Sequence, residues 1–451
     1  MAASSDQSGL KRALGLRALV VYGVGGMLGG GIYALVGEVA AKAGSLAWLS
    51  FLLAMVVATP TAFSYAALAT RFPRSGGEAV YIRHGFGTRH GGLLVGWLVI
   101  FSGMASMATL AHAFAGYAAT LLDTTGTGGS RGLILAFLLV LGAINGWGIR
   151  FTSRANIVAT TIEFSGLLLV ILAGIAVVGG WTDAAGSTMA HAPPSDPARA
   201  GDSPLWLGVL LSANLAFYAY IGFEDMVNVA EEVTEPRRVY PRAIVMALVT
   251  VGLVYAAVTS LATAAVSPGR LAASGAPLQE VIAVGAAWVP SPVFTVIALF
   301  AVGNSALLNF VMASRLAYGM ANDGLLPRWL GRVHPVRRTP LRAIGIILVL
   351  TAVLGLSGTL RSLAGTTSLL ILIVFVMVNG SLLRIRLGQA EQDAEDPKAF
   401  RVPRSVPIAG MVLAVSLMPL APDGSLRTAA LVAGAGLALI GFRFLWQRWG
   451  D

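Results

Sequence analysis

Hydrophobic positions in this chain do not alternate with polar ones. They run together in stretches of roughly 18 to 25 residues, parted by short polar or glycine- and proline-containing intervals, along nearly the whole length. A helix of that size rises about 30 Å, the thickness of the hydrocarbon core of a bilayer. The runs predict membrane helices at about 17–37, 45–70, 91–122, 131–149, 155–179, 204–231, 241–266, 281–321, 341–358, 362–384, 405–420 and 427–446. The shorter apolar–polar alternation of a membrane barrel is absent. The pattern is that of an all-α polytopic membrane protein with about twelve transmembrane helices. Two intervals exceed one crossing, the third and the eighth, and predict tilted or extended helices. Splitting the eighth at Pro290 leaves its first part as a short re-entrant segment outside the membrane.

Glycines interrupt this pattern at two places. Gly23, Gly25, Gly26, Gly29, Gly30 and Gly31 crowd the middle of the first span, where each lowers helix propensity by nearly 1 kcal/mol. The sixth span carries Gly222, followed at once by Glu224 and Asp225, which are expensive in a bilayer and mark a working centre. Broken helices in matching positions of two halves predict an inverted five-plus-five repeat with a binding site at the midplane. The expected organisation is a cytoplasmic N-terminal segment (1–16), a ten-helix transporter core (17–384), a cytoplasmic linker (385–404), two additional transmembrane helices (405–446) and a cytoplasmic C-terminus (447–451). The polar interval 181–203 reads as an exposed loop.

Composition agrees: 56% of residues are hydrophobic and 12% charged, where a soluble domain carries about 25% charged residues. A net charge of +10 raises the question of nucleic acid or anionic lipid. The placement of the charges answers it. With the N-terminus inside, 24 of the 31 Lys and Arg residues fall on the inner side and 6 on the outer, with Arg315 left in the eighth span. That bias is the positive-inside rule for a multi-pass protein with both termini cytoplasmic, in the plasma membrane, and it leaves no call for nucleic acid. The first sixteen residues lack a short apolar stretch before a cleavage site, so the first helix directs insertion.

Unwound backbone in a membrane is tolerated where it lines a cavity or meets a ligand. Free N–H groups and the positive helix end after Gly29, Gly30 and Gly31 suit a carboxylate, and freed carbonyls around Val24 and near Tyr220 and Ile221 suit an ammonium. Together they match a zwitterionic amino acid. Close helix packing by small residues is the competing reading of the glycines.

Several motifs carry a resemblance: Gly-Gly-Met-Leu-Gly-Gly-Gly-Ile-Tyr at 25–33, Arg71-Phe72-Pro73 with Ser75-Gly76-Gly77-Glu78-Ala79 and Tyr81, Tyr220-Ile221-Gly222-Phe223-Glu224, Glu235-Pro236-Arg237-Arg238, and Ser314-Arg315 with Asn322-Asp323-Gly324-Leu325-Leu326-Pro327. As a set they resemble the amino acid-polyamine-organocation (APC) superfamily of amino acid permeases, across the first ten helices. The resemblance implies a leucine-transporter-like fold, alternating access, and an α-amino acid held between helices one and six. Gly29, Gly30 and Gly31 match the carboxylate-binding stretch, with Gly30 where the family often has Ser, so backbone groups must carry more of the recognition. Met27 matches a position whose carbonyl meets the amino group. Tyr218 matches the aromatic gate of helix six, with Tyr220 or Phe223 as alternatives. Asn309 lies level with the substrate.

Coupling candidates follow from the same resemblance. Glu224 matches a glutamate that links gating to protonation in arginine exchangers, although it also suits backbone N–H groups at the break; Asp225 lies about 100° further round the helix. Glu163 falls where proton-coupled relatives often place a lysine. Either it is a proton or cation site of opposite charge logic, or coupling has moved elsewhere, for example to Glu224; a structural pair with Arg315 or a hydroxyl is the competing role. His112 reads as a helix–helix hydrogen bond before a coupling group. Arg315 suits snorkelling and a pair with Glu231 or Glu232.

The chain has no cysteine, no His-Glu-x-x-His and no Gly-x-Ser-x-Gly, so no metal, cofactor or enzymatic centre is expected. The expected function is a secondary transporter of a neutral or small amino acid, proton-coupled or exchanging. A polyamine or organic-cation carrier, with Glu224 and Asp225 as ligands, is the alternative, and a channel the third. No sequence signature specifies an oligomeric state.

Overall fold

The computed structural model describes residues 14–72, 77–87, 89–122, 127–147, 149–181, 205–227, 233–322, 326–334, 339–388 and 400–449. Its helices are α1 (Leu16–Met27), α2 (Gly30–Ala43), α3 (Ala47–Arg71), α4 (Gly77–Phe86), α5 (Arg89–Leu122), α6 (Thr127–Trp147), α7 (Ile149–Val178), α8 (Leu205–Tyr218), α9 (Pro236–Ala265), α10 (Pro268–Ala273), α11 (Pro277–Gly285), α12 (Ser291–Asn322), α13 (Leu341–Ser357), α14 (Leu360–Gly388), α15 (Ser405–Leu417) and α16 (Ser425–Trp449). Among the described residues there is no strand, only one isolated bridge from Leu14 to Val233. Seven stretches are long and apolar enough to cross a membrane, and five shorter apolar helices accompany them. The protein is an all-α, multi-pass membrane protein.

Both predicted interruptions are present. The first span is two helices, α1 and α2, separated at Leu28 and Gly29, and it runs on to Ala43, beyond the expected end at 37. In the sixth, α8 stops at Tyr218, four residues ahead of the glycine expected to break it. The third span is one 34-residue helix, about 51 Å long, which exceeds the hydrocarbon core and requires tilt or protrusion. The eighth divides: α11 ends at Gly285 and α12 begins at Ser291, so the turn at Pro290 separates a short helix from the 32-residue span.

Packing follows the repeat. The largest helix–helix surfaces join α5 to α12 and α3 to α9. In a five-plus-five numbering these are spans three with eight and two with seven, each packed on its own equivalent, as expected of helices beside a two-fold axis. The accessory helices obey the same relation. α4 follows the second span at the end where α3 finishes, whereas α10 and α11 follow the seventh at the opposite end, where Leu271 lies against Gly37 of α2.

Apolar side chains remain on the outside, as a bilayer solvent allows. Val21, Leu139, Leu253 and Leu431 are exposed, and Trp147, Trp181, Trp206, Trp288 and Trp329 stand exposed at or beyond helix ends, where indoles form interfacial belts. The two halves of the first span differ. α2 is almost wholly buried among α8, α10 and α12, whereas α1 packs chiefly on α9 and leaves one side open.

Candidate functional site

Leu28 donates to the Val24 carbonyl at 2.8 Å, so the last turn of α1 closes normally and the ladder ends only at Met27. The expectation of a freed carbonyl at Val24 is therefore corrected, because the break begins one turn later. At the start of α2 no side chain of its own caps the free N–H groups, and its first turn holds no acidic residue. The positive end is met from another helix: the Gly30 N–H donates to Ser305 Oγ of α12 at 2.7 Å.

On the other side of the site the α8 ladder gives way to tighter turns, with Ala219, Tyr220 and Ile221 donating to Ala216, Phe217 and Tyr218. Gly222 then takes φ +128°, a region that favours glycine, and releases the carbonyls of Tyr220 and Ile221 from the helix.

The two breaks touch through backbone. A Cβ on Gly222 would lie 2.7 Å from the Gly26 carbonyl oxygen, and one on Gly31 would lie 3.0 Å from Ala219 Cα. The packing reading of the glycines thus holds at Gly26, Gly31 and Gly222. Gly30 is closed in too, since a side chain there would meet Leu110 at 2.7 Å and the Val302 backbone at 2.9 Å. One side chain ties both breaks. Tyr255 of α9 directs its hydroxyl at the Met27 carbonyl at 2.5 Å and the Ala219 carbonyl at 2.9 Å. Met27, expected to offer its carbonyl to an amino group, already accepts from this phenol and keeps one lone pair over.

The aromatic candidates separate clearly. The Tyr218 hydroxyl pairs with Ser106 Oγ of α5 at 2.9 Å, so this residue alone of the three reaches from the broken sixth span to the α5–α12 scaffold. Tyr220 turns toward α9, edge-on to Tyr255 at 5.3 Å, with its buried hydroxyl unpartnered. Phe223 joins the cluster of Tyr65 and Phe375. Asn309 is half-buried one turn beyond Ser305 on α12, its amide donating to the Ser305 carbonyl at 3.0 Å.

Glu224 folds back on its own turn, accepting from the Gly222 N–H at 2.8 Å, which is the backbone-satisfying role expected of it at the least. Glu163 differs. It is 1% exposed on α7, and neither carboxylate oxygen has a hydrogen-bond partner. Asn304 of α12 lies beside it, its amide nitrogen also short of a hydrogen bond. Tyr33 of α2 reaches only the Glu163 backbone carbonyl, at 2.9 Å. No ion pair with Arg315 forms. A buried charge without a partner costs several kcal/mol, so this spot needs a proton, a cation or water to complete it.

His112 Nε2 meets the Gly355 carbonyl of α13 at 2.8 Å, a helix–helix bond. Glu231 and Glu232, the expected partners of Arg315, lie outside the described residues. Ser305, Tyr255, Ser106 and Asn304 are not apparent from the sequence. For Ser305 a signal exists: it lies four residues before Asn309, on the same helical face.

Comparison with known proteins supplies an independent finding. Residues 14–442 match the family described as amino acid permease. An uncharacterized transporter of Mycobacterium tuberculosis is 34% identical over 438 residues, 96% of this chain and 92% of that protein. The branched-chain amino acid permease BcaP of Bacillus subtilis is 27% identical over 431 residues, covering 92% and 88% of the two chains. Cationic amino acid transporter 4 of Mus musculus is 28% identical over 413 residues, 86% of this chain and 62% of that one.

Proposed function

We propose that this chain, which belongs to the amino acid permease family, is a secondary active transporter that carries a neutral α-amino acid across the cytoplasmic membrane by alternating access. The observation that carries the reading is the junction of the two breaks: the α2 N-terminus at Gly29, Gly30 and Gly31, met by the Ser305 hydroxyl of α12, adjoins the glycine turn that follows Tyr220 and Ile221 across a backbone contact. The carboxylate takes the α2 terminus in competition with the Ser305 hydroxyl, and the ammonium takes the released carbonyls with the spare lone pair of Met27. Tyr218, held to Ser106, covers the side chain as the gate, and Asn309 lines the α12 wall.

What supports a neutral substrate is where Glu224 and Glu163 go. Glu224 is turned onto Gly222, and Glu163 is sealed beside Asn304, so neither is presented to a cationic side chain or a polyamine. Glu163 serves as the coupling group, taking up a proton in one half of the cycle. The inner face is that of the N-terminus, by the bias of basic residues. A thermal-shift screen of purified protein against the twenty amino acids and several polyamines tests the substrate: apolar amino acids should raise Tm and polyamines leave it unchanged. A shift by polyamines alone would point to an organic-cation carrier and refute the carboxylate site.

A further inference from the structure

A second group of titratable residues lies on the face where the chain begins, apart from the junction of the breaks. Glu78 stands in the first turn of α4, its stem partly open to solvent and its carboxyl turned inward. Tyr65 of α3 donates to Glu78 Oε1 at 3.1 Å. The turn after α8 brings Asp225 and Glu224 within electrostatic reach. Two further phenols, Tyr81 of α4 and Tyr240 of α9, both 0% exposed, have hydroxyls with no hydrogen-bond partner, and both feel the Glu78 charge. α14 contributes Ser381, which bonds the Tyr81 carbonyl, and Arg384, whose guanidinium lies over the Phe86 ring at 5.6 Å. Arg83 and His84 are exposed, with His84 stacked on Phe72.

A buried hydroxyl left without a hydrogen-bond partner is destabilising, so two of them near one carboxyl mark a place built for something besides protein. A metal ion does not fit, because among the described residues no three His, Cys, Asp or Glu side chains are close enough to hold one. A proton does. Ionised, the Glu78 carboxylate is an acceptor for a phenol O–H; protonated, it is a donor to a phenol oxygen, so the same residues serve both states. Burial pushes the Glu78 carboxyl from 4.5 up to about 7, with Asp225 adding to the rise and the Glu78 backbone N–H and Tyr65 opposing it.

We propose that Glu78, set by Tyr65 and bracketed by Tyr81 and Tyr240, is a proton-binding site on this face whose charge is felt by Glu224 at the glycine turn of the sixth span. It is separate from Glu163 and reports the pH of the compartment that the N-terminus faces. Ionisation places a negative charge near Glu224, which accepts from the Gly222 N–H at the turn, and protonation removes it.

The sign follows from linkage. Between about 4.5 and about 7 the folded chain holds a proton that the unfolded chain releases, so stability falls as pH rises through that window and levels off above it. The test is Tm of the purified full chain against pH, with no substrate present, so its outcome is independent of the transport reading. The wild type should show a fall across the window from about pH 4.5 to about 7, levelling off above it. Glu78→Gln should lose that component, Tyr65→Phe should carry the fall to higher pH by removing a bond to the ionised form, and Asp225→Asn should end it at lower pH by removing a like charge. A wild-type profile retained in Glu78→Gln overturns the proposal. Where that variant does not fold, an unmoved upper end of the fall in Tyr65→Phe overturns it, and an unmoved upper end in Asp225→Asn removes the link to the turn.

Discussion

Tyr255 is the residue on which the two breaks depend, because its hydroxyl serves a carbonyl from each. Tyr255→Phe keeps the ring against Phe51 and Tyr220 and strips only those bonds, so it should cost about 1–3 kcal/mol, read as a fall in Tm. An unchanged Tm would mean that the phenol is a bystander. Glu163→Gln removes the charge and keeps the shape; it should flatten the pH dependence of uptake while substrate binding stays measurable, and an unchanged pH profile excludes Glu163 from coupling. Much at this scale was out of reach of the sequence. A buried Glu in an apolar run is conspicuous, but Tyr255, Ser305 and Ser106 are ordinary residues of ordinary helices, and only the crossing of α5, α9 and α12 over the breaks makes them partners. Val24 shows the opposite limit: composition marks a glycine-rich stretch, while the last hydrogen bond inside it depends on local geometry.

The broken helices were legible because glycine density is a local property, and polar backbone has few ways to survive in hydrocarbon. Their registers were less so. α8 stops at Tyr218, ahead of Gly222, since the glycine is needed for its positive φ at the bottom of the turn and for its approach to Gly26, rather than for ending the helix. Gly222→Ala tests both demands. It should destabilise the protein by about 1–3 kcal/mol and impair transport more than a comparable glycine substitution at Gly345, where nothing stands near. Gly30→Val should abolish binding, because its side chain would collide with Val302 and drive α2 off α12, carrying the Ser305 cap with it. Retained affinity in a thermal-shift assay would remove Gly30 from the site.

At the scale of the molecule, the pairing of α5 with α12 and α3 with α9 turns an expected repeat into a packing arrangement. The second half of the first span, α2, is clasped among α8, α10 and α12, and the first half, α1, rests mainly on α9, tied to the chain after the sixth span where Thr234 donates to the Leu14 carbonyl at 2.9 Å. Span positions could be read from apolar run length alone; which helices pair could not, since every face of such a helix is apolar and the lipid offers no polar contrast to mark the core. Counterflow in proteoliposomes reads out transport of a neutral amino acid through one alternating site. Uptake of labelled amino acid should be saturable, accelerated by unlabelled amino acid inside and lost in Gly30→Val. Uptake that rises linearly with concentration and ignores internal substrate would contradict it.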